Sequence, residues 1–328
     1  MVDEHLSKHG LSACKEAAAN TPAMTEAILH LRRQLRGGKM IRPALVLLSY
    51  HACRPSCDSH RKTHPAAHNK LIRAAAIVEM IHNATLLHDD VIDEGRQRRR
   101  LPTANSLWGN EFAILLGDFL LSTVFQMCTK LQPEAAGIIA QTTHRICRGE
   151  LIQIIQRRNW KLSESQYIHI ITEKSASLFA DSSRLGAILA GAKEAQIRAL
   201  ASFGRDIGVA FQIVDDLLDI IGDETKTGKT LRSDANKNEV TLSIIHLLQA
   251  VGPNRRAATI KTLNAATHNK DEHTRMVEIL NSHGSLRYAR DRADTFVEKA
   301  IEALGTMEKN DAVAALVQTA EFVRHRVL

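Results

Sequence analysis

The sequence is poor in aromatic residues, in chain breakers and in cysteine. Only 4 % of its 328 residues are Phe, Trp or Tyr, so aliphatic side chains must do the packing. It has 17 glycines and 7 prolines, about 7 % together where an average protein has about 12 %. So few breakers exclude a β-sandwich or barrel, which needs a turn roughly every 8–12 residues. Five cysteines, an odd number without framework spacing, argue against a disulfide scaffold and suit a reducing cytosol. No stretch approaches the ~20 consecutive apolar residues of a membrane span, and the best candidate, 113–125, is broken by Asp118. The N-terminal MVDEHLSKHG has no apolar run to act as a signal peptide. These absences leave a cytoplasmic protein of enzyme size.

What is present is ordinary in amount and unusual in arrangement. Hydrophobic residues at 44 % and charged residues at 24 % describe a globular chain with a core that needs no staples. The net charge of +7 favours anionic partners. Two basic clusters stand out, Arg32, Arg33, Arg36, Lys39 and Arg42, then Arg96, Arg98, Arg99 and Arg100. Neither has interleaved aromatics or a recognisable nucleic-acid module, so no nucleic-acid partner is expected. A solvated basic face competes with a diphosphate site, and both clusters flank an acidic motif.

Apolar residues recur at helical spacing from end to end, and period-two alternation is nowhere sustained. The spacing predicts helices near 22–36, 40–53, 70–94, 110–131, 134–157, 164–191, 195–221, 235–250, 255–267, 272–282, 285–304 and 309–326. The fold class is therefore an all-α bundle. The helix from about 195 is nearly apolar through Ile207–Ile221, which places it at the centre of the bundle. Leu101–Pro102 and Gly222–Gly228 read as loops. No linker interrupts the pattern, so residues 1–328 are read as one domain. The odd segment 51–69 holds His51, Cys53, Cys57, His60, His64 and His68. Its spacing is not that of a zinc finger, and two prolines suit an interhelical loop better.

The decisive feature is a pair of aspartate clusters, HDDVID with Asp89, Asp90 and Asp93, and VDDLLD with Asp215, Asp216 and Asp219. In each, the first and last Asp are four apart and share a helical face. Carboxylates so placed repel one another, and buried uncompensated they cost several kcal/mol or take up protons. Magnesium resolves the conflict, because it takes carboxylate oxygens, keeps waters and is completed by substrate phosphates. One such motif is a common acidic turn. Two, 126 residues apart and each on an apolar helix, point to ions holding a diphosphate across a cavity. Cations fall where that diphosphate needs them: Arg98 and Arg99 after the first cluster, Lys229 after the second, Lys174 on another helix, and Lys39 and Arg42 around GGKMIRP.

With these residues in view the chain resembles the trans-isoprenyl diphosphate synthases, the polyprenyl synthetase family, of the chain-elongating type. The matching stretches are GGKMIRP (37–43), EMIHNATLLHDDVIDEGRQRRR (79–100), GDFLLSTVFQ (117–126), GEL (149–151), EKSASLF (173–179) and GVAFQIVDDLLDIIGDETKTGK (208–229). The resemblance implies the helical isoprenoid synthase bundle with a central cavity. It implies that Asp89 and Asp93, with Asp90 supporting, hold Mg2+ on an allylic diphosphate, and that Asp215, with Asp216 and Asp219, supplies a further ion, three per site. It assigns Arg98, Lys174 and Lys229 to the allylic diphosphate, and Lys39, Arg42, His82 and Arg99 to isopentenyl diphosphate. Ser175 and Gln212 would direct oxygen dipoles at an allylic cation. The reaction implied is ionisation, condensation and proton loss, with Asp89, Asp93, Asp215, Lys174 and Gln212 as its catalytic set. A homodimer, with membrane contact only through the product, follows by the same analogy.

The match has departures. Family members often carry a lysine where this chain has Glu239, and Lys237 is the substitute expected here. Ser175 replaces a frequent threonine and keeps the hydroxyl. A terpene cyclase would need no isopentenyl site, and a non-catalytic partner subunit would have degraded clusters. Product length should depend on Ala84 and Thr85, one turn before Asp89, and on Ile81 a turn deeper. None is aromatic, so a product of thirty carbons or more is expected. A shorter geranylgeranyl or farnesyl product is the alternative, with a floor built by Leu120, Leu121 or Phe125.

Overall fold

The computed structural model describes residues 25–30, 33, 38–54, 65–221, 239–266 and 270–327. Among them the chain is almost entirely helical. In order, α1 spans Ile41–Ala52, α2 Pro65–Ile92, α3 Ala104–Trp108, α4 Asn110–Cys128, α5 Pro133–Ile155 and α6 Glu164–Ile171. A π-turn, Thr172–Ala176, leads into α7 Ser177–Leu189, followed by α8 Glu194–Ile221. Then come α9 Leu242–Ala250, α10 Gly252–Ala266, α11 Lys270–Ser282, α12 Ser285–Ala303 and α13 Asp311–Arg324.

The apolar stripe of α8 decides the architecture. Val209, Ile213, Val214, Leu217 and Ile220 face one apolar cluster with α6 and α9–α12. Phe203, Ile207 and Ala210 face another with α1, α7, α12 and α13. A helix that buries two faces has to stand at the centre, and α8 packs on α7, α12, α13 and the π-turn. The expectation of a central helix is met. A third cluster joins α1, α2, α4, α5 and α7. By length and composition α4 would cross a membrane, but Leu116, Leu120 and Val124 are buried in this cluster.

Four readings are corrected. The predicted helix over 164–191 is broken by the π-turn, in which one extra residue slips the register. Leu101–Pro102 is not a loop but half of a two-residue ribbon, antiparallel to Gln97–Arg98. Arg99 and Arg100 between them have φ of 54° and 63°, as a tight hairpin with two left-handed residues requires. In the odd segment, 65–69 is helical rather than loop, while 55–64 lies outside the described residues. Residues 239–241 precede α9 without helix, so the continuous helix foreseen over 235–250 is interrupted there, while 235–238 lies outside the described residues. The loop at 222–228 also lies outside the described residues.

The π-turn sits between two glycines. A methyl group on Gly149 of α5 would stand 2.4 Å from the Lys174 amide nitrogen, and one on Gly208 of α8 would stand 2.7 Å from Ala176 Cα. Close backbone approach on both sides fixes where Lys174 and Ser175 project. In an open helix Gly→Ala stabilises by about 1 kcal/mol. Here the sign reverses: Gly208→Ala is expected to cost about 1–3 kcal/mol by overpacking, read from the midpoint of urea unfolding.

Candidate active site

Both aspartate clusters lie in the last turns of their helices, α2 and α8. A helix C-terminus carries the negative end of the macrodipole, so each cluster adds carboxylates to a pole that already attracts cations. Asp89 shows the consequence. Loss of solvent pushes its carboxyl up to about 7, with Glu150 and Asp93 adding repulsion against the relief from Lys174 and Arg98. Lys174 answers from the π-turn, its ammonium 2.7 Å from Glu150. Burial works against that ammonium, but Asp89, Glu150 and Glu239 overcome it and hold its pKa above the usual lysine range.

The six carboxylates are not equivalent, which refines the expectation that all are ion ligands. Asp90 is buried and receives Arg98 through Nε at 2.9 Å and Nη2 at 2.7 Å. Thus Arg98, expected on a diphosphate, spends two donors on Asp90. The hairpin turns it back there, and Asn105 ties the ribbon down by donating to the Asp90 carbonyl. Asp216 is likewise buried. It accepts from Tyr167 Oη at 2.6 Å and from Gln212 Nε2 at 2.8 Å. Gln212 in turn accepts the Ser175 hydroxyl proton at 2.6 Å. Asp219 is buried. Asp93 and Asp215 are more open, and Asp215 accepts Arg326 Nη2 at 2.7 Å.

The residues assigned to a second diphosphate gather beside this site. Arg42 lies over the Phe179 ring, 4.4 Å from its centre, and Arg326 lies over Phe211 at 4.1 Å. The two rings pack 5.2 Å apart. Arg42 Nε is buried without a hydrogen-bond partner, and burial lowers its pKa to about 10. Burial, then Arg42, Arg99 and Arg98, keep His82 well below the ordinary histidine value. Burial also lowers Lys39, and Arg326 adds to the effect. The Arg99 guanidinium lies where a methyl on Gly38 would be, 2.8 Å from that position. Buried Glu79 is the counter-charge felt by both Arg42 and Arg99.

A cavity of about 80 Å3 opens between the clusters, lined by Asp93, Lys174, Gln212 and Asp216 on its polar side and by Leu162, Ile170 and Val240 on its apolar side. Ile81, Ala84 and Thr85 do not line it. Ile81 and Ala84 are fully buried in the cluster shared with α4, and the Thr85 hydroxyl donates to the His82 carbonyl at 2.8 Å. Lys229 and Lys237 lie outside the described residues. Sequence reasoning missed Glu79, Glu150, Tyr167, Arg157 and Arg326 as members of the site. Glu79 and Glu150 sit inside quoted motifs, whereas nothing around Tyr167, Arg157 or Arg326 marks them in the sequence.

Among the described residues no three acidic, histidine or cysteine side chains converge as a closed metal cage. Magnesium needs no such cage, because it is held through one or two carboxylates and completed by phosphate oxygens. Asp89, desolvated and repelled by Asp93, supplies with it the carboxylate oxygens that such an ion takes.

Comparison with known proteins agrees. The profile of the polyprenyl synthetase family matches residues 23–280. The octaprenyl diphosphate synthase of Escherichia coli is 33 % identical over 291 residues, covering 88 % of this chain and 86 % of its own. The short chain isoprenyl diphosphate synthase of Methanothermobacter thermautotrophicus is 33 % identical over 297 residues, covering 88 % and 87 %. The polyprenyl synthase of Caulobacter crescentus, solved with calcium and isoprenyl diphosphate, superposes with a TM-score of 0.83 at 27 % identity, covering 100 % of this chain and 98 % of its own. With two carboxylate-tipped helices around one cavity and a basic group beside them, the chain belongs to the polyprenyl synthetase family, the magnesium-dependent trans-prenyltransferases.

Proposed function

We propose that this chain condenses isopentenyl diphosphate with an allylic diphosphate where α2, the π-turn and α8 meet, releasing an all-trans polyprenyl diphosphate of thirty carbons or more. The carrying observation is Lys174, which interacts with the desolvated Asp89 and lines the cavity between the clusters with Asp93 and Asp216. Asp89, Asp93 and Asp215 would hold magnesium, three ions per site, which would supply positive charge to stabilise the leaving diphosphate. The protein does the rest. Lys174 stays protonated and neutralises the allylic diphosphate, a role that the resemblance also gives to Arg98 and Lys229. Lys39, Arg42 and Arg99 take the isopentenyl diphosphate, and neutral His82 donates a hydrogen bond to it. Because Ser175 gives its proton to Gln212, its lone pairs are free to face an allylic cation. The departed diphosphate accepts the proton lost after condensation.

Exposed Ile114, Leu115 and Phe125 on α4, with Leu151 and Ile155 on α5, support self-association as a homodimer. Phe125, 57 % exposed, is unsuited to be a tunnel floor within one protomer. A cytoplasmic location, with membrane contact through the product alone, completes the reading.

Three outcomes test it. Asp89→Ala and Asp215→Ala should each lower turnover by several orders of magnitude with circular dichroism unchanged; near-wild-type rates in either would end the assignment. Ala84→Phe should shorten the extracted product to fifteen or twenty carbons while the first condensation persists, as measured by chromatography. Finally, the folded Asp89 carboxyl holds its proton up to about pH 7, well above an unfolded aspartate at about 3.9. The folded state therefore binds more protons between those values, and stability falls as pH rises through about 7. Metal-free Asp89→Asn should melt above the wild type at pH 8, with the gap closing toward pH 5 in calorimetry.

A further inference from the structure

Arg157 lies just past the end of α5, at a place where no motif marks it, and lines the cavity beside Asp93, Lys174 and Gln212. Its Nη2 stands 3.3 Å from Glu239 Oε1 and 3.9 Å from Asp93 Oδ1. Its Nε is buried with no hydrogen-bond partner. Gln153, one turn earlier on α5, donates to the other oxygen of Glu239. So Glu239 is gripped from two sides, and the guanidinium it orients reaches the first aspartate cluster.

We propose that Arg157 binds the allylic diphosphate, supplying from α5 the cation that the chain lacks at position 239, with Glu239 and Gln153 as its holders. This rests on the assignment of Asp89 and Asp93 to that diphosphate under the proposed function. The physical case is one of geometry. A guanidinium is a planar fork with donors matched to phosphate oxygens, and this one lines the cavity while its buried Nε has no hydrogen-bond partner. A diphosphate carried at Asp93 enters the same space that Arg157 already spans. The chain thus moves a positive charge across the cavity: a carboxylate stands on the 239–241 segment, and the cation stands opposite it. Lys237, first expected to compensate for Glu239, is not needed for this arrangement.

The test compares wild type, Arg157→Gln, Arg157→Lys and the double variant Arg157→Gln/Glu239→Lys. Steady-state kinetics with both substrates are paired with calorimetric binding of an unreactive allylic thiolodiphosphate in magnesium. Arg157→Gln should raise the allylic KM and the analogue Kd about tenfold, the scale of one charge-assisted hydrogen bond, and leave the isopentenyl KM unchanged. Arg157→Lys should fall between, since it keeps charge and loses the fork. The double variant should return the allylic KM toward wild type, because it puts a cation back from the other wall. Equal shifts in both KM values, an unchanged allylic KM, or no recovery in the double variant would overturn the proposal. If Arg157→Gln does not fold, Arg157→Lys decides, and an unchanged allylic KM there is fatal. Should wild type bind the analogue equally well without magnesium, or Asp89→Ala bind it as wild type does, the underlying site assignment fails instead.

Discussion

Negative charge crowded at the C-terminal ends of two helices is the constraint to which the surrounding structure answers. A carboxylate at such a pole is disfavoured by the macrodipole, by its neighbours and by loss of water, and Asp89 registers this in a carboxyl raised to about 7. The protein relieves part of the strain itself. Arg98 takes Asp90, Tyr167 and Gln212 take Asp216, and Arg326 takes Asp215. Each relief uses a donor from a different part of the chain, so the cavity walls are held together by the charges they contain. What remains is the Asp89–Asp93 pair beside Lys174, where Asp93 adds its repulsion to the desolvation of Asp89, and under the proposed function this is where an ion and a diphosphate are received.

This division of labour explains why each cluster has an adjacent Asp–Asp pair. Successive helical residues diverge by about 100°, so Asp89 and Asp90 cannot serve one centre. Asp90 turns to the hairpin and anchors it, and the hairpin in turn brings Arg99 to Gly38 and the basic group. The same logic separates Asp215, which meets Arg326, from Asp216, which meets Tyr167. One aspartate of each pair, Asp90 or Asp216, is thus buried against protein donors, and under the proposed function its neighbour is the one that meets an ion. Arg326 also makes Asp215 a contested carboxylate, since an ion bound there must take over an oxygen that an arginine now holds.

The central helix and both aspartate clusters were legible because they are local patterns: an apolar stripe of period 3.6, and charges four apart. The basic residues were legible jointly, as cations flanking the clusters, and their separate roles only by resemblance, since a lone arginine looks the same on a solvated face. The π-turn was hidden because one extra residue inside an apolar run leaves the periodicity nearly intact. Its position depends on Gly149 and Gly208 approaching from helices distant in sequence. The Arg326–Asp215 contact spans 111 residues and Gln153–Glu239 spans 86, distances over which no sequence pattern speaks. The ribbon at 97–102 is too short to show alternation at all.

Reaction class and product length differ in legibility for a further physical reason. Ionising an allylic diphosphate requires a fixed number of charges at fixed spacing, and such charges are discrete features that a sequence displays. Product length is set by empty volume, and volume is what packed side chains leave over. Relatives with the same 33 % identity carry the names octaprenyl and short chain, so overall likeness does not choose between lengths. Ala84 illustrates the point. In the packed protein it is a fully buried small residue in the apolar cluster that α2 shares with α4. It bears on product length only if a growing chain can part those helices, and a methyl group offers less resistance to that than any aromatic ring. The energetic decision therefore lies in how readily α2 and α4 yield to an incoming hydrocarbon, whose burial contributes about 0.8 kcal/mol for each methylene. A growing prenyl chain gains several such increments with every five-carbon unit, enough to outweigh the dispersion contacts of one alanine methyl.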